Sequence, residues 1–543
     1  MKTFEPSSPP SAGPGCAPAA RSLPVECDVL VVGGGINGAG IARDLAGRGL
    51  AVVLCEKDDL ASHTSSSSTK LVHGGLRYLE YYEFAMVRKS LAEREVLLRS
   101  APHIMWPLRF VMPHDPSMRP VWMVRLGLFL YDHLARREVL PGSSTIDLRS
   151  HVAGKPLKQL FRKGFVYSDG WVDDARLVVL NALDAAERGA TVLTRLACVD
   201  ARRDAEQWTA TLRSEYGATR PIAARALVNA AGPWAADFLA ERAHMPQAKT
   251  LRLVKGSHIV VPRLFEHDHA YIFQNPDKRI IFAIPYERDF TLIGTTDVEH
   301  TGAVGTARID ASEIDYLCAQ ASRYFERPVV PADVVWTYSG VRPLLDDESG
   351  DAAAVTRDYA LELDTTAGAP LLSVWGGKIT TFRKLAEEAA DRLAPLLGAS
   401  RGPWTDAAFL PGGDLNGEPN GARPASRDVV GDFARFVDAL QRRYPQLPQG
   451  LAHRLARGYG SRVHALLGDG RLGAEVAPGL FEAELQYLRR AEWACNADDV
   501  LWRRTKLGLH FDAAQRERVA AWCRTHWAAA ADPGVPATEA SWS

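Results

Sequence analysis

The pattern of hydrophobic positions is most regular in residues 28–56, DVLVVGGGINGAGIARDLAGRGLAVVLCE. The continuous apolar run 29–32 predicts a buried parallel strand, and a second run at 51–55 predicts its neighbour in the sheet. Between them, apolar residues recur at helical spacing over 36–48. The pattern therefore predicts a strand–helix–strand unit at the start of an α/β domain.

Later segments extend this sheet and then interrupt it. A helix that Asp173 or Asp174 can cap is predicted at 175–188, with a strand after it at 191–195. From 251 to about 339 apolar and polar residues alternate, which predicts an inserted antiparallel sheet that carries one helix at 312–325. The α/β pattern resumes with a strand at 371–374, and the chain is helical in pattern after 401, where Asp512 and Gln515 resemble a capping box.

Two apolar segments are rich in basic residues. In 104–137, Trp, Phe, Met and Leu alternate with arginines, and the stretch 501–509, LWRRTKLGL, is basic and amphipathic. A core helix with basic ends is the commoner explanation of the first segment, and a helix lying in a membrane interface is the alternative.

Glycines separate the first strand from its helix at the spacing Gly33-x-Gly35-x-x-Gly38. Gly33 suits a tight turn, Gly35 lets the backbone approach a pyrophosphate, and Gly38 lets helix and strand pack closely. The helix N-terminus attracts phosphate, and Glu56 suits the ribose hydroxyls at the end of the second strand. We interpret this unit as a dinucleotide site; a glycine-rich turn without a nucleotide is the alternative.

The composition of the chain excludes some classes of protein. The chain has 543 residues, 46% of them hydrophobic and 24% charged, with a formal charge of −1, which argues against a broadly basic nucleic-acid binder. Its seven cysteines form no CxxC pair, so we expect no metal site of the zinc or iron–sulfur kind. No apolar run is long enough to span a bilayer, and residues 1–27 have the composition of a disordered tail.

Two polar turns carry further candidate chemistry. The run of hydroxyl residues 64–69 is followed closely by Lys70, His73, Arg77 and Tyr78, a density that favours a ligand site over a flexible linker. The second turn is Gly376-Gly377, before a helix that begins near Thr380 and offers an N-terminus to an anion or a carbonyl oxygen. Because we find only one glycine fingerprint, this combination favours FAD over NAD.

A substrate lying over a flavin would meet basic groups from several segments. Arg342 lies in a Gly-Pro turn, SGVRP, and suits bidentate capture of phosphate or carboxylate, although it could instead pair with Asp346 or Asp347. His73, His258 and Lys378 are candidate bases or orienting groups for the proton of an alcohol.

Many ordered motifs resemble one family. SSSSTKLVHGGLRYLE, WVDDARLV, NAAGPW, KGSHIVVP, IGTTD, WTYSGVRPL and GGKITTFRKLAE follow the glycine fingerprint in this order. With them, residues 28 to about 527 closely resemble the FAD-dependent glycerol-3-phosphate dehydrogenases of the aerobic bacterial type. The resemblance implies oxidation of sn-glycerol 3-phosphate to dihydroxyacetone phosphate, with noncovalent FAD and ubiquinone as acceptor. It also implies a peripheral protein, a homodimer, on the cytoplasmic face of the inner membrane.

The resemblance also implies roles for individual residues. Substrate contacts are expected at six positions: Arg77, Tyr78, Lys255, His258, Arg342 and Lys378. Flavin contacts are expected at Gly33, Gly35, Gly38, Glu56, Thr64, Ser65, Ser66, Ser67, Ser68, Thr69, Gly377, Thr380 and Thr381. The catalytic set is expected among His258, Lys378, Arg342 and His73, and the base stays open between His258 and Lys378.

The expected architecture is α/β, with three units. They are an FAD-binding, Rossmann-like domain of the glutathione-reductase or DAO type (28–110, 160–250 and 336–398), an inserted antiparallel substrate sheet (111–159 and 251–335), and a C-terminal helical cap domain (401–543). Two other functions fit the same residues: a glycerol-3-phosphate oxidase that uses oxygen, and a flavin-binding module without catalysis.

Overall fold

The structure, a computed structural model, describes residues 24–115, 119–245, 249, 251–277, 279–345, 358–366, 368–416 and 427–528. Its α-helices are α1 (Ile36–Gly47), α2 (Phe84–Ser100), α3 (Val121–His133), α4 (Asp174–Glu187), α5 (Ala235–Asp237), α6 (Ala311–Ser322), α7 (Phe382–Leu393), α8 (Val429–Arg443), α9 (Gln449–Tyr459), α10 (Val463–Leu467), α11 (Glu482–Glu492) and α12 (Ala513–Ala528).

The strands are β1 (Glu26–Val32), β2 (Val52–Cys55), β3 (Leu71–Val72), β4 (Met105–Pro113), β5 (Ser144–Asp147), β6 (Lys163–Val172), β7 (Thr191–Leu193), β8 (Leu196–Arg203), β9 (Trp208–Ser214), β10 (Thr219–Asn229), β11 (Leu251–Pro262), β12 (Ala270–Gln274), β13 (Ile280–Tyr286), β14 (Phe290–Gly294), β15 (Val298–Glu299), β16 (Trp336–Leu345), β17 (Tyr359–Asp364), β18 (Leu371–Gly376), β19 (Glu475–Ala477) and β20 (Leu480–Phe481).

The first sheet has eight strands, with the order β17-β18-β10-β1-β2-β7 and with β9 and β8 continuing from β10. Its centre is parallel, since β1 pairs with β2 and β10, and β10 pairs with β18, in the same direction. Helices α1, α4 and α7 pack together beside it and share its apolar core. The predicted α/β unit is confirmed, and the predicted cap is confirmed too, because the Asp173 side chain accepts the N–H of Arg176 at the start of α4.

The second sheet has ten strands, with the order β15-β11-β14-β13-β12-β4-β6-β3; β16 pairs with β11, and β5 with β6. Its pairs are antiparallel, as predicted, except that β12 runs parallel to β4. The expected domain bounds differ from this pairing at four strands: β3, β6, β16 and residues 105–110 of β4 fall in segments assigned to the flavin domain, but these strands pair within the second sheet. Such long-range pairing depends on tertiary contacts that local patterns do not report.

The C-terminal part is a helical unit, α8 to α12, with a short hairpin of β19 and β20. The capping box expected before α12 is present, because Asp512 and Gln515 each accept the other's backbone N–H, at 2.9 and 2.7 Å. The stretch 501–509 is not the exposed basic surface that its sequence suggested. Arg504 and Lys506 are buried, and Arg504 pairs with Asp59 of the flavin-side loop.

The segment 104–137 is not one core helix. Its first part is the strand β4, and its second part is α3, where Leu128 and Tyr131 are buried and Trp122, Leu126 and Phe129 are exposed. Among the described helices, none is long and apolar enough to cross a bilayer. The predicted tail 1–27 lies mainly outside the described residues, and its last part, from Glu26, already belongs to β1.

Candidate active site

The turn between β1 and α1 depends on its glycines. Gly33 has a φ of +112°, and a Cβ added there would lie 2.5 Å from the carbonyl oxygen of Ala230. A Cβ on Gly38 would clash with the carbonyl oxygen of Gly33. The turn is therefore tight and the helix packs directly on it, as the spacing predicted.

Glu56 closes this turn at the end of β2. Its carboxylate accepts the N–H of Gly34 at 2.6 Å and that of Asp58 at 2.9 Å. Burial raises the pKa of Glu56, and the two backbone donors act in the opposite direction. Glu56, Asp58 and His63 could also group around a metal ion, but His63 already contacts Asp58 at 2.7 Å, so the grouping has an explanation without one.

A cavity of about 440 Å³ opens over the glycine turn at the carboxyl ends of the parallel strands. Its wall includes Gly33 to Asn37, Glu56, Thr64 and Ser65, and it ends at Gly376 and Gly377. Asn37 donates to the carbonyl oxygen of Gly376 at 3.1 Å, while its own buried side-chain oxygen has no partner among the described residues. Backbone N–H groups, an acidic residue and an unsatisfied polar atom at one sheet edge are what a dinucleotide such as FAD requires.

The hydroxyl run mostly holds its own loop in place. Ser65 accepts the N–H of Ile36, and Thr64 donates to the carbonyl oxygen of Val341, so these two residues join the cavity to the second sheet. The other four hydroxyls also have hydrogen-bond partners. Ser66 and Ser67 donate to the carbonyl oxygen of His63, Ser68 donates to the carboxylate of Asp174, and the Thr69 hydroxyl pairs with the Nε2 atom of His258.

His258 and Arg342 extend from the same face of the second sheet. They lie on the neighbouring strands β11 and β16, where Val254 is opposite Arg342 and His258 is opposite Tyr338. Two glycines make room for them, because a Cβ on Gly256 would clash with the Arg342 guanidinium and one on Gly294 with the His258 ring. Since side chains alternate along a strand, this face is shared by residues of even number on β11.

The His258 ring is buried and closely held. It stacks on Tyr338 with 4.7 Å between ring centroids, and its Nε2 lies 2.9 Å from the Thr69 hydroxyl. Burial lowers the pKa of His258 well below its usual value, and the charges of Arg342 and Lys70 lower it further. The imidazole is therefore neutral at neutral pH, with an Nδ1 atom that has no partner among the described residues.

Arg342 is oriented by the segment that follows β14. Its Nη1 donates to Asp297 at 2.6 Å and its Nη2 to the Thr295 hydroxyl at 2.9 Å. Asp346 and Asp347, the alternative partners suggested by the sequence, lie outside the described residues. Thr295 and Asp297 belong to the motif IGTTD and position Arg342. The motif is visible in the sequence, but this role of the two residues is not.

The segment after β3 and the turn at Gly377–Thr381 form a second group of candidate site residues. Lys378 lies over the ring of Tyr78, with Nζ 4.0 Å from the centroid, and it also approaches the sulfur of Met86 at 3.1 Å. The backbone N–H of His73 donates to the Thr380 hydroxyl at 3.1 Å, and Thr381 is buried beside it. The stretch from Thr69 to Tyr78 therefore touches both His258 and the Gly377–Thr381 turn.

Two residues that were expected to contact the substrate, Lys255 and Arg77, have other partners in this structure. Lys255 points to the opposite face of β11, where its Nζ lies 2.7 Å from Glu313 of α6 and 3.0 Å from the carbonyl oxygen of Arg308. The structure therefore does not place Lys255 beside Arg342 and His258, as the alternation of side chains along a strand between positions 255 and 258 already indicates. Arg77 precedes Tyr78 in the chain, and its guanidinium donates to the Tyr81 hydroxyl at 3.4 Å.

This fold and this cavity define a flavin-dependent class. Residues 28–383 match the FAD dependent oxidoreductase family, and residues 403–526 match the C-terminal domain of alpha-glycerophosphate oxidase. The chain is an FAD-dependent oxidoreductase, and it belongs to the part of this family that holds the aerobic bacterial glycerol-3-phosphate dehydrogenases.

Several relatives resemble the chain over nearly its full length. The aerobic glycerol-3-phosphate dehydrogenase of Escherichia coli is 50% identical, over 91% of this chain and 97% of its own. The D-erythritol 1-phosphate dehydrogenase of Brucella abortus is 51% identical, over 92% of this chain and 98% of its own. The solved structure of the Bacillus halodurans glycerol-3-phosphate dehydrogenase, in complex with FAD, matches with a TM-score of 0.70 at 28% identity, over 94% of this chain and 96% of its own.

Proposed function

We propose that the protein oxidises sn-glycerol 3-phosphate at its C2 hydroxyl to dihydroxyacetone phosphate and passes the electrons to ubiquinone. The observation that carries this proposal is the pair of Arg342 and His258 on one face of the second sheet, joined to the dinucleotide cavity by the 64–69 loop. A fixed guanidinium suits a phosphate, and a neutral imidazole suits an alcohol.

Arg342 binds the phosphate in this proposal. Asp297 and Thr295 hold its guanidinium before a ligand arrives, so less side-chain freedom is lost on binding. Tyr78 and Lys378 form the wall on the other side of the substrate, where the ammonium group adds positive charge for an anionic ligand.

The C2 hydroxyl must lose its proton when its C–H bond is oxidised. His258 is the first candidate acceptor, because it is neutral and because the tautomer with hydrogen on Nε2, donating to Thr69, leaves Nδ1 free to take a proton. Lys378 is the second candidate. The glycine turn and the other residues that line the dinucleotide cavity would hold FAD, which would supply the acceptor for the hydride equivalent of C2.

A longer polyol phosphate is a second candidate substrate. The observation that favours it is the relative named D-erythritol 1-phosphate dehydrogenase, which is as similar to this chain as the glycerol phosphate enzymes are. Both substrates present a phosphate to Arg342 and a secondary alcohol to the base, so they differ in the length of the carbon chain that the pocket must hold.

An anaerobic titration tests the proposal directly. We expect glycerol 3-phosphate to bleach the absorbance of the oxidised flavin in stoichiometric amounts, and a quinone to restore it. Steady-state turnover of glycerol 3-phosphate and of erythritol 1-phosphate with a quinone acceptor then ranks the two substrates by kcat/KM. A flavin that neither phosphate reduces would contradict the proposal, and stoichiometric peroxide in air without quinone would favour the oxidase alternative.

Replacement of Arg342 tests its role. Arg342→Ala should raise the KM for glycerol 3-phosphate at least about tenfold and up to about a hundredfold, since a charged hydrogen-bonding partner of phosphate is worth about 1.5–3 kcal/mol. Flavin content should stay unchanged, because the residue does not line the dinucleotide cavity. Loss of flavin with an unchanged KM would show that the phosphate lies elsewhere.

For the membrane, α3 is the best candidate contact. Trp122, Leu126 and Phe129 are exposed along it, and the exposed arginines Arg125 and Arg136 lie beside them to meet anionic headgroups. This surface suits a peripheral protein that receives quinone from the bilayer at the cytoplasmic face. The homodimer stays a prediction from the family resemblance.

A further inference from the structure

A second cavity lies between the ten-stranded sheet and the C-terminal helices. Its volume is about 930 Å³, against about 440 Å³ for the dinucleotide cavity. One wall is formed by β4 and the β13–β14 turn, and the other by α9 and the segment 504–515. We call it the α9 cavity. The residues discussed above for flavin and substrate binding do not line it, so its chemistry is a separate question.

The α9 cavity contains an arginine without a carboxylate. Several buried arginines of the chain face an acid: Arg94 pairs with Asp169, Arg176 with Glu492, and Arg504, which also lines this cavity, with Asp59. Within the described ranges, no acid lies within ion-pairing distance of Arg457, which donates only to the backbone carbonyls of Pro102 and His103. Burial alone lowers its pKa to about 9.

Arg457 is held in one orientation by aromatic rings. Its guanidinium carbon lies 3.6 Å from the centroid of Phe433 and 4.3 Å from that of Trp106. This stack keeps a positive charge at the cavity wall where water screens it poorly. The position is costly for an isolated cation and favourable for one that meets an anion.

Other basic groups face Arg457. His453 lies one helical turn before it on α9, and its Nδ1 is 3.0 Å from the guanidinium of Arg288 on the opposite wall. Burial lowers the pKa of His453 to about 4, with Arg457 and Arg288 adding to the effect. At neutral pH the positive charge on the two walls therefore comes from Arg457 and Arg288, and the neutral imidazole of His453 supplies a hydrogen-bonding group beside them.

Acidic groups also line the cavity, and some of them are already paired with basic groups, as Asp173 is with Lys506 at 3.6 Å. Glu484 is paired with Arg454, and Asp289 lies 3.4 Å from His510. Burial raises the pKa of Glu287 to about 7, so it carries only part of a charge at neutral pH. Asp268 also lines the cavity, on the side of the β11–β12 loop.

We propose that the α9 cavity binds a small phosphate ester or phosphate ion, with Arg457 and Arg288 as its cationic ligands from opposite walls. Two arginines and an imidazole match the oxygens of a phosphate, and Trp171 and Phe511 provide apolar surface for an organic part. Because the ligand would touch both the substrate sheet and the C-terminal unit, it would stabilise their contact.

The test uses the FAD-loaded full chain with inorganic phosphate as probe. Arg342→Ala serves as the background, since it removes the other proposed phosphate ligand. In this background we expect a saturable rise of Tm with phosphate that sodium chloride at equal ionic strength does not produce. Adding Arg457→Gln or Arg288→Gln should weaken the apparent Kd at least about tenfold.

Arg442→Gln is the matched control, because it removes the same charge from an exposed site on α8 of the same unit. It should leave the apparent Kd unchanged. If Arg457→Gln does not fold, Arg288→Gln decides the result alone. The proposal is overturned if Arg342→Ala shows no saturable response, or if Arg457→Gln and Arg288→Gln bind phosphate as well as Arg442→Gln does. Neither outcome depends on flavin reduction, so it is distinct from a failure of the proposed function.

Discussion

At the scale of single residues, small side chains make room for the large polar ones. Gly256 lies under the Arg342 guanidinium and Gly294 lies against the His258 ring. Asp297, Thr295 and Thr69 then provide the hydrogen bonds that fix these groups. The positions of Arg342 and His258 therefore depend on glycine, threonine and aspartate residues that have no proposed role in the reaction.

Gly256→Ala tests this arrangement. The new Cβ would meet only the flexible end of Arg342, so the guanidinium should move while the fold is kept. We expect the KM for glycerol 3-phosphate to rise at least about tenfold, with flavin content and Tm close to wild type. Gly402→Ala is the control, since its Cβ would have no neighbour within 4 Å. Equal KM values for the two variants would contradict the argument.

At the scale of elements, α3 keeps one face in the core and leaves the other unpaired. Leu128 and Tyr131 face inward, and the Tyr131 hydroxyl is bonded to the buried Asp169. Trp122, at 64% exposed, and Phe129, at 55%, lie on the outside. An amphipathic helix of this kind suits the surface of a bilayer rather than its interior.

Charge on the outer face of α3 should weaken membrane attachment. Leu126→Glu and Phe129→Glu together remove two apolar anchors, each worth about 1.5–3 kcal/mol when buried, so we expect at least tenfold weaker binding. Co-sedimentation with vesicles containing anionic lipid measures it. Leu160→Glu, at an exposed leucine elsewhere, is the control. Undiminished binding of the double variant would place the membrane contact on another surface.

At the scale of the whole molecule, buried ion pairs join the C-terminal unit to the flavin side. Asp59 follows β2 and accepts from Arg503 at 2.6 Å and from Arg504 at 2.8 Å. Arg176 of α4 pairs with Glu492 of α11. Both sets of ion pairs connect the C-terminal helical unit to the flavin-binding domain. Buried contacts therefore hold the two units together in addition to the covalent chain.

The Asp59 contact gives a pH dependence. Burial opposes its charge, but Arg504 and Arg503 outweigh burial and lower the pKa of Asp59 from 3.8 to about 2. A lowered pKa adds stability above the unfolded value, about 2 kcal/mol here, and this stability is lost as the pH falls from about 4 to about 2.

Asp59→Asn should therefore lower Tm at pH 7, since breaking a buried pair costs about 3–5 kcal/mol. The Tm difference from wild type should narrow as the pH falls through the window just given. Asp469→Asn, which removes an exposed acid paired with exposed Arg471, is the control and should change little at any pH. A Tm difference for Asp59→Asn that stays constant from pH 7 to 2 would contradict the assigned pKa.

The sequence by itself determined the local features. The glycine turn with its flanking strands and helix, the caps of α4 and α12, and the choice of Arg342 and His258 as site candidates could be predicted, because each depends on neighbours in the chain. The division of 104–137 into β4 and α3 could not. Tertiary structure decided what pairs across the chain: β3, β4, β6 and β16 join the second sheet, Lys255 turns towards α6, and the basic stretch 501–509 is buried against Asp59. Local patterns report periodicity and composition, whereas the face that a residue presents and the charge that it meets depend on contacts between segments far apart in the sequence.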